Sequence, residues 1–302
     1  MNVLITGGSG LVGSKLTSKL LANGHEVRYL SRKKKNIQRV KVFEWDIQKQ
    51  KIDVNAFENI DAVIHLAGEN VAAKRWSESQ KQKIISSRTD SSQLLVDTIS
   101  RLEKKPLLFI SASAIGYYGL NTRDEIMTED HPKGDGFLAD VTAIWERTID
   151  QIEQYGIRAV KLRIGVVLAK EGGALTKMKA PIKMGLGAAL GSGKQQMSWI
   201  HVDDLCDMIL FALTSETLSG VYNAVSSEPV TNREMTLALA EALGKPIFLP
   251  NVPEFVLRLI LGEMSVIVTG GNLVSNKKIT DAGFDFQYKT LGQSLSQILG
   301  DH

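Results

Sequence analysis

Chemistry first becomes possible in this chain within its opening thirteen residues. Gly7, Gly10 and Gly13 stand in a G-x-x-G-x-x-G spacing. A turn of this kind can hold a pyrophosphate. Gly7 lets the chain turn sharply, Gly10 removes a side chain where backbone would meet phosphate, and Gly13 allows close packing behind the turn. If Leu11 and Val12 open a helix, their free N–H groups and the helix dipole favour an anion there. A second cluster, Ser31-Arg32-Lys33, follows about 20 residues on, where such a fold selects its nucleotide. An acidic residue would accept bonds from ribose hydroxyls. A hydroxyl and two cations suit a 2′-phosphate instead, and the Arg fork matches phosphate geometry. These residues therefore point to NADP(H). Lys34 and Lys35 read as solvated. Asp46 could accept from an adenine amino group or simply cap a turn.

Further candidates lie downstream. Leu66-Ala67-Gly68 ends an apolar run in small residues, against which a ribose could lie. His65, inside that run, reads as a satisfied core histidine. The block Ser111 to Gly119 brings hydroxyls to the end of another apolar run, where open α/β sheets bind ligands. Within it Ser113 is the best placed hydrogen-bond donor. Tyr117 and Tyr118 could deliver a proton or could pack beneath a lobe. Trp199 could wall a substrate pocket or sit in the core, and His201 could be an acid, a substrate contact or a helix-start residue.

Regular elements must position these groups. Val3 to Thr6 read as a strand, and Val12, Leu16 and Leu20 fall at helical steps behind the glycines. Strands at Val27–Leu30, Val40–Phe43, Asp61–Leu66, Leu107–Ile110 and Arg158–Val167 alternate with helices at Ser77–Ser100 and Leu138–Ile152. Residues Asn121 to Asp135 read as a polar surface loop. Alternation of this kind predicts an α/β fold: a Rossmann-type, doubly wound parallel sheet. The regularity lapses after Leu168. Residues 1–168 accordingly read as an NADP-binding domain and 169–302 as a small mixed C-terminal lobe on the substrate side, with some strands returning to the sheet. The glycines from Gly185 to Gly193 could face the cleft there or form a plain loop. Thr231 and Glu234 have capping-box spacing, and Pro253 suits the first turn of a helix through Leu261.

Composition narrows the class. Of 302 residues 43% are hydrophobic, ordinary for a globular protein, and no apolar run is long enough for a membrane span. Met1 leads straight into a strand, without the basic region and cleavage site of a signal peptide. Cys206 is the only cysteine, which rules out an internal disulfide and a cysteine-rich zinc site. These features point to a cytoplasmic protein with no metal. A net charge of +3 is too small to argue for nucleic acid.

Taken in order, the first strand with its glycines, Leu66-Ala67-Gly68 and the Ser111–Gly119 block resemble the extended short-chain dehydrogenase/reductase superfamily. Within it the chain looks like the atypical "epimerase family protein" group. The pieces that match are Leu66-Ala67-Gly68-Glu69-Asn70, Arg75-Trp76, Ser87-Arg88, Gly191-Ser192-Gly193 with Gln196, Trp199-Ile200-His201 and Asp203-Asp204-Leu205. The resemblance covers nearly the whole chain. It implies NADP(H) held by the glycine turn, Ser31 to Lys33, Leu66 to Gly68 and Arg88, and leaves the small-molecule substrate open. One departure matters. The superfamily uses Tyr-x-x-x-Lys, the tyrosine as acid or base and the lysine to lower its pKa. Aligned on Trp145-Glu146, the tyrosine position is Leu138 and the lysine position is Thr142. Three readings follow: an NADP-dependent oxidoreductase with another proton donor, a non-catalytic NADP(H) sensor, and, on fold analogy alone, a nucleotide-sugar epimerase.

Overall fold

The computed structural model describes residues 1–33 and 36–300, without the side chains of residues 121–124. Lys34 and Lys35, expected to be solvated, lie outside the described residues.

The first half alternates as expected. Strand β1 (Asn2–Thr6) leads through the glycine turn to α1 (Leu11–Ala22), then β2 (Glu26–Ser31), β3 (Val40–Asp46), the short β4 (Lys51–Ile52) and β5 (Ala62–His65). Helix α2 (Glu78–Ser100) starts at Ser77, whose side chain accepts from the Gln80 N–H. Next come β6 (Leu108–Ala114), β7 (Asn121–Met127), α3 (Phe137–Asp150) and β8 (Arg158–Ile164). The following β9 (Val166–Leu168), α4 (Gly173–Lys183), β10 (Gln196–Met197), β11 (Trp199–His201) and α5 (Val202–Thr214) lead to β12 (Gly220–Ala224).

Eight strands form one sheet in the order β12-β8-β6-β5-β1-β2-β3-β4. All neighbours are parallel except β3 and β4. Side chains alternate between its faces. Val3, Ile5, Ile64 and Ile110 meet Leu16 of α1 and Leu205, Met208 and Ile209 of α5. Leu4, Val63 and Phe109 point the other way, to Leu95 and Ile99 of α2 and Trp145 and Ile149 of α3. With both faces covered, the strands read as continuous apolar runs. The chain order reverses between β1 and β5, and the glycine turn sits at that switch point.

The remainder comprises β13 (Val230–Thr231), α6 (Asn232–Ala242), α7 (Glu254–Leu261), α8 (Val266–Thr269), β14 (Gly271–Val274), α9 (Lys277–Asp281) and α10 (Leu291–Leu299). Helix α6 begins with the capping box anticipated at Thr231 and Glu234. Helices α4, α6 and α10 pack around Trp199. A smaller sheet runs β13-β10-β14-β7. Its last member corrects the sequence reading: residues 121–127 form a strand, because β14 pairs with them in parallel from far along the chain.

Candidate functional site

The glycines of the first turn do different work. Gly7 has φ +72°, and a Cβ there would lie 2.8 Å from the Leu66 carbonyl. Gly13 is buried beneath the turn, with a Cβ position only 2.4 Å from the Gly7 oxygen. Gly10 differs. Its backbone is ordinary and extended, and a Cβ would meet only the Gly7 oxygen, at 3.2 Å. The space beyond it is open. Helix α1 starts there without a side-chain cap, leaving the N–H groups of Leu11 and Val12 without hydrogen-bond partners among the described residues. That is a ready anion cradle. Sequence reasoning missed Gly8. A Cβ on it would lie 2.3 Å from the Tyr29 ring, and the Tyr29 hydroxyl donates to its carbonyl at 2.9 Å.

At the end of β2, Ser31 is half-buried, while Arg32 and Lys33 are exposed with no ion pair among the described residues. Both cations are available to a phosphate. Asp46 is committed elsewhere. Its carboxylate accepts from the Lys49 N–H at 3.1 Å and lies 3.3 Å from the Lys49 ammonium. Those contacts, the backbone bond first, hold its pKa below the usual value. Of the two readings of Asp46, the structure has the turn cap.

At the end of β5 the Leu66 N–H donates to the Thr6 carbonyl and the Ala67 N–H to Thr6 Oγ1. Gly68 is exposed. Arg88 lies beneath this strand end. It donates to the Glu69 and Ile84 carbonyls, both at 3.0 Å, with its guanidinium 5.3 Å from the Trp145 ring centroid. Burial pulls its pKa down to about 10. Arg88 thus braces the peptide on which a cofactor would rest. His65 is fully buried, 2.6 Å from Thr6 Oγ1 and 3.1 Å from Ser92 Oγ. Burial, then the Arg88 charge, lowers its pKa to about 3, so the ring is neutral.

Beyond β6 lies a buried polar network. Ser113 Oγ donates to Glu146 at 2.5 Å. Arg163 grips the same carboxylate bidentately, both bonds at 2.8 Å. Arg163 also donates to the Tyr118 hydroxyl, which donates in turn to Asn223. Burial, outweighing Arg163, raises the Tyr118 pKa. The Arg163 guanidinium stacks 3.4 Å from the Tyr117 ring centroid. Tyr117 is half-buried, and its hydroxyl has no partner among the described residues. So Ser113, read as the best placed donor, is buried and engaged with protein groups, and Tyr118 has the packed one of its two readings. Of the three, Tyr117 alone keeps a hydroxyl without a partner among the described residues.

Leu138 and Thr142 sit in the first turns of α3. The Thr142 hydroxyl donates to the Leu138 carbonyl at 2.7 Å. Leu138 lines a cavity of about 690 Å³, walled by Trp76, Phe137 and Val266 and by Glu254 and Arg258 of α7. None of these walls was anticipated. Trp76 belongs to the Arg75-Trp76 piece of the resemblance but carried no role there, Phe137 and Arg258 carry no motif, and the three meet only through the fold. The glycines Gly185 to Gly193 do not line this cavity. Gly187, Gly191 and Gly193 pack against residues 247–254, by Ile247, Glu254 and Asn251, while a Cβ on Gly185 would meet open space. Of the readings open for Trp199 and His201, the structure has the core tryptophan and the helix-start histidine. Trp199 donates to the Glu228 carbonyl at 2.7 Å. His201 caps α5 by accepting the Asp203 N–H, bonds Gln297 and stacks on Tyr288. Both are fully buried, which leaves neither a surface for a ligand.

Comparison with known proteins agrees with this architecture. Residues 3–224 match the model of the NAD dependent epimerase/dehydratase family, and residues 252–298 match a domain of unknown function (DUF1731). The epimerase family protein YfhF of Bacillus subtilis is 36% identical, covering 100% of this chain and 99% of its own. The chloroplastic SDR39U1 homologue of Arabidopsis thaliana is 37% identical over 99% of this chain and 87% of its own. The human epimerase family protein SDR39U1, whose crystal structure contains NADPH, superposes with a TM-score of 0.88 at 30% identity, each chain covered fully. Among the described residues no helix is long and apolar enough to cross a membrane. With its glycine turn at the switch point and a family match over most of its length, the chain belongs to the NAD dependent epimerase/dehydratase family.

Proposed function

We propose that this protein binds NADP(H) and is an oxidoreductase for a small carbonyl compound, working without the usual tyrosine–lysine pair. The observation that carries this reading is the cavity beside Leu138, the position from which the superfamily's tyrosine would meet its substrate. A protein that only held the nucleotide would have no need of that second space.

The fit to the cofactor rests on this chain's own groups. The open face of Gly10 and the free N–H groups of Leu11 and Val12 would hold the pyrophosphate. Ser31, Arg32 and Lys33 would hold a 2′-phosphate, and Ala67 and Gly68 would flank a ribose. The NADPH in the human relative's crystal structure supports the choice of cofactor. Bound there, the cofactor would supply a hydride. The protein must then deliver a proton to the substrate oxygen. Tyr117 is our donor, having the free hydroxyl and a ring clamped by Arg163. Gly119 and Leu120, which follow it closely, line the cavity. Ser113 becomes a positioning residue that fixes Glu146, and through it Arg163.

NADPH should bind more tightly than NADH, and Arg32→Ala should erase most of the difference. One charge-assisted bond is worth about 1.5–3 kcal/mol, roughly 10- to 150-fold in affinity. Titration of both cofactors against both proteins checks this, and equal affinities in the wild type would sink it. Tyr117→Phe should lower kcat by ~10²–10⁴-fold without weakening NADPH binding, since only a hydroxyl is removed. A wild-type rate in that variant would put the donor elsewhere.

Leu138 and Thr142 favour a second reading, a non-catalytic NADP(H) sensor. NADPH absorbance followed with a panel of aldehydes, ketones and quinones separates the two. Consumption that disappears in glycine-turn variants supports the enzyme; a tight complex that consumes nothing supports the sensor. A nucleotide-sugar epimerase has only the fold in its favour.

A further inference from the structure

We infer that the cavity beside Leu138 takes an amphiphilic ligand, an apolar body carrying one anionic group, and not a nucleotide sugar. The inference deepens the oxidoreductase reading and rests on it for the chemistry, though not for binding.

The two sides of the cavity are chemically unlike. On one side the Trp76 and Phe137 rings meet edge to face, centroids 5.0 Å apart, and Leu138 extends this apolar surface. On the other, α7 buries Leu257 and leaves several of its apolar side chains in solvent. Glu254 and Arg258, one turn apart, line the cavity, while Phe255 and Leu259 are 73% and 76% exposed to solvent. Helices normally turn their apolar stripe inward. Here Leu257 is the residue turned in, and Glu254 and Arg258 stay exposed along the cavity wall, open to a ligand.

The charges on the cavity can be followed individually. Glu263 is paired with Lys81 at 2.5 Å. Glu254 and Asp135 are exposed carboxylates without an ion pair among the described residues. Arg258 lacks one too, as does Arg75, whose guanidinium lies 3.1 Å from the position a Cβ would take on Gly262. Gly262 ends α7, one turn beyond Arg258, and itself lines the cavity. Two guanidinium groups without an ion pair among the described residues thus stand on this side, Arg258 on the cavity wall and Arg75 against Gly262. This chemistry recognises a carboxylate or phosphate. A nucleotide sugar would lay part of its hydroxylated surface against Trp76, Phe137 and Leu138, an apolar wall that suits an acyl body better, since unpaired polar groups are costly to bury.

Trp76 makes the idea measurable. Trp45, Trp145 and Trp199 are buried, so Trp76 is the tryptophan whose emission a cavity ligand would change. The full chain is loaded with NADP⁺, which cannot reduce a carbonyl. It is then titrated with a medium-chain ω-oxo carboxylic acid, its methyl ester, and UDP-glucose; Trp76→Phe identifies the signal. The acid should give a saturable change and the ester should bind about tenfold or more weakly, one charge-assisted contact being lost. Arg258→Ala, at an exposed position, should bring the acid to the ester's level and leave NADP⁺ affinity unchanged. UDP-glucose binding as tightly as the acid overturns the inference. So does an acid no better than its ester, which would make the two arginines mere partners of the α7 carbonyl end. If the acid binds as expected but no NADPH is consumed, the pocket assignment stands and the redox reading fails.

Discussion

Gly10→Val should lose NADPH binding by ~100-fold or more while the protein stays folded, the loss matching two or more charge-assisted bonds. The protein itself has little objection to a side chain there. The Gly10 backbone is one that valine adopts readily, and its Cβ would only brush the Gly7 oxygen. What valine fills is the open space in front of the α1 N-terminus. Gly13→Val is the contrasting case. Its Cβ would lie 2.4 Å from one backbone oxygen and 2.6 Å from the Gly8 Cα, so the turn itself must break. Circular dichroism should therefore separate two variants of one motif, while NADPH titration finds both inactive. A folded Gly10→Val protein with wild-type affinity would mean that the phosphate site lies elsewhere.

Glu146→Ala should cost about 3–5 kcal/mol of folding stability, the usual penalty for leaving one half of a buried ion pair behind. Arg163 is only 3% exposed and has both guanidinium edges committed, one to Glu146 and one to the Tyr118 hydroxyl. Removing the carboxylate strands its charge and frees the Ser113 proton. Urea unfolding, read from the midpoint, measures the loss. Glu146→Gln keeps a polar side chain of the same size and should retain more stability than alanine. Wild-type stability in Glu146→Ala would show that water reaches Arg163 and that the network is not sealed. Since Arg163 also clamps Tyr117, any activity should fall along with stability.

Local signals account for what was legible in the sequence. The parallel sheet, its helices and three of the four turn glycines announce themselves within windows of a dozen residues. Groups defined by distant partners did not. Gly8 looks dispensable until Tyr29, from the neighbouring strand, lies down on it. Residues 121–127 look like a polar loop until β14 supplies hydrogen bonds from far along the chain. His201 and Trp199 look like pocket residues, because only Gln297, Tyr288 and Glu228 reveal that they are covered. The sequence did mark Leu138 as unable to give a proton. It could not say that the same leucine would face a cavity, since the opposite wall comes from α7.

Strand β12 has a consequence during synthesis. It completes the sheet by pairing with β8, yet it leaves the ribosome after everything from β9 to α5 has been made. The gap between the two strands is about 60 residues, roughly 3–12 s at ordinary elongation rates. For that interval β8 is an open, apolar edge, the kind of surface that recruits other nascent chains. A stalled or truncated product ending near residue 168 would keep that edge permanently, and would also lack the α5 residues that cover Ile5 and Ile110. Such a fragment should aggregate or occupy chaperones instead of folding as a small nucleotide-binding unit.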